Sequence, residues 1–237
     1  MRRLLGCFGI LVFVAFCAPS ANAQQRYIGI ILGANLANES LDAQPGGISI
    51  SDRTGIFAGV EVDRWFNPSW AISMHLLFSQ KGRNDNINGT GTGIFYGFTT
   101  TGHTSVEANY FDVPLLIKNA SFGNNVIRLY AFAGPSVGMF LSGTVRSNIT
   151  VSSKGSEPFE VDSTYALSDS TVNMVEFSAV LGMGISVKLD SGPMLFFDAS
   201  YWYGLTNIFE SYGGATYTRD IRFAAGILFP INLSKLF

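Results

Sequence analysis

Histidine and cysteine are scarce: the 237 residues include two of each, His75 and His103, Cys7 and Cys17. Two histidines on separate segments fall short of the three or four ligands of a zinc centre, so no metal site is expected. Both cysteines lie in the first 17 residues, in a stretch that reads as a removable leader, so no thiol chemistry is expected of the mature chain. Asn84, Asn86, Asn88 and Gly89 resemble the opening of a calcium loop, but the twelfth position is Phe95, where a bidentate acid is needed. Gly89 to Gly93 alternates glycine with threonine, yet no Gly-Lys pair follows to make a phosphate cradle. No catalytic residue and no cofactor site is expected.

What remains is a set of ionisable residues at alternate positions of apolar segments. Glu61, Asp63, Asp112, Glu176 and Asp198 stand against Lys81, Lys118, Arg128, Lys188 and Arg222, with His75 nearby. Buried charge costs several kcal/mol unless it is paired, so five acids and five bases on hidden faces predict interior ion pairs. Their chemistry would be structural: a polar network holding a narrow interior shut.

The elements that carry them have a period of two. From Val175 to Leu189 every odd position is apolar, and the even ones include Glu176, Ser178, Gly182, Gly184, Ser186 and Lys188. Ile127 to Leu141 repeats the pattern. Weaker copies are expected near Arg26 to Ala37, Gly55 to Trp65, Trp70 to Lys81, Val106 to Lys118, Met194 to Tyr203 and Arg219 to Phe229. The connections alternate between long (38–54, 82–105, 144–172, 204–218) and short (66–69, 119–125, 190–193), and the short ones are rich in turn formers. Tight turns at one end and extended loops at the other predict an all-β, antiparallel up-and-down transmembrane barrel of about eight strands. Phe95, Tyr96 and Phe98 are expected to extend a hairpin above the membrane.

Composition agrees. Hydrophobic residues make up 47% and charged residues 14%, with a net charge of −2, which excludes a disordered chain and a basic nucleic-acid binder. Arg2 and Arg3 precede an apolar run from Leu4 to Ala18, and Ala21-Asn22-Ala23 supplies small residues for cleavage. Residues 1–23 are expected to be an export signal and 24–237 one barrel domain of the bacterial outer membrane.

Alternation alone does not say which face is outside. Gly29, Gly33, Gly59, Gly134, Gly138, Gly182, Gly184 and Gly226 crowd the polar face, as a cramped interior requires. Aromatics of the apolar face gather near strand ends, Trp70 and Phe229 towards the turns and Phe78, Phe111, Phe177, Tyr203 and Phe223 towards the loops, in the manner of interfacial girdles. The apolar register of the last strand runs on to the terminal Phe237. The apolar face is therefore expected to meet lipid, and the charged face an interior that side chains fill at this strand number.

Several segments resemble the Bacteroidetes-type outer-membrane β-barrel family labelled PorT-like. They are Phe78-Ser79-Gln80-Lys81-Gly82, Tyr110 to Lys118 (YFDVPLLIK), Ala133-Gly134-Pro135, and Tyr201 to Ile208 (YWYGLTNI). The resemblance implies an eight-stranded barrel in the outer membrane of a Gram-negative cell. The family's namesake is tied to a secretion system.

The leading functional expectation is a plugged, non-enzymatic barrel with membrane lipids around it and a protein partner at its extracellular loops or periplasmic face, assisting an envelope or secretion machine. A small-solute pore and a lipid-modifying enzyme are the alternatives. An enzyme of that kind needs a His, Ser and acid cluster facing lipid, and the face assigned to lipid carries no histidine.

Overall fold

The computed structural model describes residues 25–41, 48–92, 97–123, 126–153, 156–167, 172–190, 192–208 and 216–231. Residues 1–23, expected to be an export signal, together with Phe95, Tyr96 and Phe237, lie outside these ranges. The described chain forms β1 (Arg26–Leu41), β2 (Ile48–Trp65), β3 (Trp70–Thr92), β4 (Gly97–Gly123), β5 (Ile127–Ser153), β6 (Phe159–Ala166), β7 (Val175–Lys188), β8 (Met194–Gly204) and β9 (Thr216–Ile231). Every neighbouring pair is antiparallel. Pairing of β1 with β9 and of β4 with β5 closes a ring in the order β1-β2-β3-β4-β5-β7-β8-β9. β7 pairs with the turn end of β5 and β6 with its loop end, so β6 and β7 occupy one stave in two pieces. The ring therefore has eight staves.

Local chemistry sets the turns. Asn67 Oδ1 accepts from the amides of Ser69 at 2.9 Å and Trp70 at 2.8 Å, pinning the β2–β3 connection as an Asx-type turn. Between β7 and β8 the Gly192 amide donates to the Leu189 carbonyl at 2.9 Å, with Gly192 at φ +103°, where a side chain would be strained.

Burial follows parity. On β7 the odd residues Phe177, Leu181, Met183 and Ile185 are exposed apolar side chains, while Glu176, Ser178, Val180 and Ser186 are buried. The same inversion of the usual rule holds around the ring, with Ile30, Leu32, Ile56, Ile117, Leu129, Phe197 and Phe223 all pointing outward. A wall that is greasy outside and charged inside suits hydrocarbon as solvent.

Three segments expected as loops are largely strand. β3, β4 and β5 run for 23, 27 and 27 residues, well over the roughly 9–11 that cross a bilayer. Their loop ends, with that of β2 and with β6, form a sheet standing beyond the ring. Polar residues occupy most positions on both of its faces, which hides the period of two from hydropathy. Cross-strand pairs hold it instead: Asn86, His103, Asn148 and Asp162 lie side by side on β3 to β6, with His103 Nδ1 3.1 Å from Asn86 Oδ1 and Asn148 donating to Asp162 at 2.5 Å. A bulge marks the base of this sheet. Asn109 pairs with Ser142 while Tyr110 pairs with Phe140, leaving Leu141 extra. Inward positions on β5 are even up to Phe140 and odd from Gly143 to Val145.

Candidate functional site

The interior is stacked in layers along the barrel. At the turn end Tyr27, Trp65, Ala71, Ala120, Met194 and Leu228 are buried together, and the Arg128 guanidinium lies 5.4 Å from the Trp65 ring centre. Above them sits a charged layer. Lys118 donates to Glu61 and, at 3.3 Å, to Asp63 Oδ2. Ser73 donates to Glu61 at 3.3 Å and lies 2.9 Å from His75 Nε2, which is itself 3.6 Å from Glu61 Oε1. Across the lumen the Tyr130 hydroxyl donates to Asp198.

A belt of Ile31, Phe57, Leu77, Leu116, Phe132 and Val180 follows. It surrounds a cavity of about 20 Å³ that His75, Asp198, Ser200 and Arg222 also line. Such a space holds about one water molecule.

The second charged layer lies on the loop side. Lys81 donates to Asp112 at 3.1 Å and to Glu176 at 2.7 Å. Arg222 reaches Asp112 at 3.1 Å, Asp220 at 3.0 Å and Ser79 at 3.2 Å, and its guanidinium lies 3.6 Å from the centre of the Trp202 ring. Thr218 and Ser178 donate their hydroxyl protons to Glu176. Lys81, Arg222 and Glu176 are each met by both a countercharge and a neutral hydroxyl or ring, the condition under which buried charge is tolerated. Asp220 Oδ1 and Arg222 Nε, by contrast, are buried without a hydrogen-bond partner among the described residues.

An apolar cap closes the loop end. Ala108, Tyr110, Phe140, Val172 and Ile208 form a second buried cluster, with the Tyr110 and Phe140 rings edge to face at 5.7 Å. Two connections fold inward to complete it: the Asn173 amide donates to Ile208 O at 2.7 Å and the Phe140 amide to Met174 O at 3.0 Å.

Glu61, Asp63, His75, Lys118 and Asp198 thus meet in one layer, and Lys81, Asp112, Glu176 and Arg222 in the other. Two of the expected members lie elsewhere. Arg128 is half-buried against Trp65, and Lys188 is exposed at the end of β7, where the turn lets its long chain reach solvent. Asp220, which the sequence reading passed over, is buried and bonded to Arg222. Its signal was available, since it stands two residues before Arg222 on the same face. The expected balance of five acids and five bases becomes six carboxylates, those of Glu61, Asp63, Asp112, Glu176, Asp198 and Asp220, against Lys81, Lys118, Arg222 and the neighbouring His75. Of that set, Asp198 also borders an open pocket of about 550 Å³ whose other walls, Leu129, Met183, Phe197 and Phe223 among them, are largely apolar. Among the described residues no group of three or more His, Cys, Asp or Glu side chains is arranged to hold a metal.

Residues 22–210 match the model of a family described as outer membrane protein beta-barrel domain. Solved structures similar to the chain include three outer-membrane barrels. OprG from Pseudomonas aeruginosa is 12% identical, with 89% of this chain and 97% of that one covered and a TM-score of 0.48. AlkL, solved in lipid bilayers, is 12% identical over 92% and 95% of the two chains with a TM-score of 0.45. Ail, the attachment invasion locus protein of Yersinia pestis, is 14% identical over 86% and 98% with a TM-score of 0.38. No curated protein of similar sequence was found.

Proposed function

Since the chain belongs to the outer membrane protein β-barrel domain family, we propose that it is a closed, non-enzymatic barrel of the Gram-negative outer membrane that presents its long-stranded sheet to a partner outside the cell. The observation that carries this reading is the filled lumen. Two charged layers, an apolar belt and an apolar cap leave about 20 Å³ at mid-height, too little for solute passage. In this reading the ion pairs of Glu61, Asp63, His75, Lys118 and Asp198 below, and of Lys81, Asp112, Glu176 and Arg222 above, brace the wall. Arg128 and Lys188 serve the turn end.

The short turns face the periplasm and the tall sheet faces outward, the usual arrangement of such barrels. Residues 1–23 direct export and are then removed. The PorT-like segments, Tyr110 to Lys118 above all, support a role beside a larger envelope or secretion machine. Neither histidine faces lipid, which speaks against lipid chemistry: His75 is in the lumen and His103 is on the sheet beyond the ring.

Single-channel recording of the purified protein in planar bilayers tests the reading. A silent membrane is expected, and steady stepwise conductance would remove the closed-barrel proposal in favour of a small-solute pore.

A further inference from the structure

Among the described residues the sheet beyond the ring ends in an open edge. β6 pairs with β5 in unbroken register from Thr144↔Ala166 to Val151↔Phe159, and with no other described strand. All eight of its residues are exposed. In an antiparallel ladder alternate residues direct their N–H and C=O groups to opposite sides, so half of the β6 backbone groups point away from β5. Edges of this kind are ordinarily blunted by charged side chains, lysine above all, by proline or by a bulge. β6, with the sequence FEVDSTYA, has no lysine, proline or bulge, and its two charges, Glu160 and Asp162, are both acidic, so they repel an acidic strand and admit a basic one.

We propose that the β6 edge takes up an extended segment of a partner polypeptide, with cationic side chains at alternate positions, as a further strand of the sheet. This rests on reading the barrel as a platform for interaction and names the class of partner. Main-chain pairing supplies the attraction, and the two faces of β6 supply the selectivity. Glu160 and Asp162 project from one face, and exposed Glu157 precedes them. Arg146, the one basic side chain of β5 on that face among the described residues, stands beside Thr164 rather than beside either acid. Phe159, Val161 and Tyr165 project from the other face, 66%, 39% and 56% exposed. An incoming strand that sets lysine or arginine beside the acids therefore places its alternate apolar residues beside this second row. Eight residues at about 3.3 Å each give a platform roughly 26 Å long. A second copy fits poorly, because two β6 edges joined antiparallel bring their acidic rows together on one face, and neighbouring like charges are destabilising.

The test uses the full chain in lipid nanodiscs and three labelled ten-residue peptides: alternating Lys and Val, the same peptide with every second backbone nitrogen methylated, and alternating Glu and Val. The Lys–Val peptide is expected to bind saturably, one per barrel, and the other two about tenfold more weakly, the scale of a few lost cross-strand interactions. The double variant Glu160→Lys with Asp162→Lys, checked for folding by heat-dependent gel mobility, is expected to reverse the preference between the Lys and Glu peptides. Equal binding of the N-methylated peptide would show charge attraction without strand addition and overturn the proposal. So would an unchanged preference in the variant, or a dimer of the peptide-free protein that the variant dissociates. Failure here combined with a silent bilayer leaves the closed barrel standing, whereas conductance combined with edge-dependent binding removes only the closed barrel.

Discussion

Phe132 on β5 lies flat over Gly182, its cross-strand partner on β7, so closely that a Cβ on Gly182 would sit 2.3 Å from the ring's Cζ. Phe196 uses Gly226 in the same way, with 2.4 Å to its Cζ, and Phe57 uses Gly33 at 2.5 Å. Glycines on one stave thus make room for rings from the next, and this is how a lumen of eight staves accommodates so many aromatics. Gly182→Val is expected to destabilise the barrel by about 1–3 kcal/mol, the usual scale of overpacking. Urea unfolding in lipid vesicles measures it. Pairing the substitution with Phe132→Leu should recover part of the loss, and a double variant no better than the single one would count against ring–glycine packing.

Lys118 is the cation that bridges Glu61 and Asp63. Replacing it with methionine keeps the aliphatic bulk and strands two buried carboxylates. The expected cost is about 3–5 kcal/mol, typical of breaking a buried pair from one side. Adding Glu61→Gln and Asp63→Asn to Lys118→Met should bring the urea midpoint back towards that of the parent, since the cost arises from uncompensated charge. If the triple variant is no more stable than Lys118→Met, the layer does not act as a charge-balanced unit.

Much of this interior was legible in the sequence, for a physical reason. Strand parity is rigid, so once Val175 to Leu189 fixed which face was apolar, Glu176 and its like were assigned to the lumen. Asp198 and Arg222 followed from the same rule on their own strands. The rule fails where its assumptions do. Lys188 has the right parity but sits at a strand end, where a long side chain escapes to water. Asp220 was readable from parity and overlooked beside Arg222. The cap of Val172 and Ile208 comes from connections without a period, and only tertiary packing brings them over Tyr110 and Phe140. The upper reaches of β3 to β5 are held by pairs such as His103 with Asn86, which leave no hydropathy signal.

Arg222 binds Asp112 and Asp220 through Nη2, reaches Ser79 through Nη1, and lies over Trp202. Lysine keeps the charge but loses the planar fork and its stacking. Arg222→Lys is expected to cost about 1–3 kcal/mol, the scale of a charged hydrogen bond together with a partly desolvated cation–π contact. Trp202 reports the change locally. Its emission should shift while that of Trp70, on the outer wall, stays put, which variants retaining one tryptophan at a time distinguish. An unshifted Trp202 spectrum would mean that the guanidinium does not rest on the ring.

Leu141 is the residue by which β5 exceeds its partner β4 at the base of the outer sheet. Deleting Leu141 alone joins Phe140 to Ser142, makes the pairs Tyr110↔Phe140 and Asn109↔Ser142 consecutive and keeps Gly143 and Val145 facing in. Deleting Leu141 and Ser142 together instead slips the strand by one residue and turns the loop-side half of β5 over. Val145, now buried, would face out, and Arg146 would turn towards the sheet's inner face. A one-residue slip of this kind exchanges every side chain between faces. The turn-side half, from Ile127 to Phe140, keeps its parity and its pairing with β7. The single deletion is therefore expected to keep the parent's protected outer sheet, and the double deletion to leave a barrel that still migrates as a folded species on unheated gels while its outer sheet becomes open to added protease between 143 and 166. Protection of that segment equal to the parent's in the double deletion would show that the bulge does not set the register of the sheet above it.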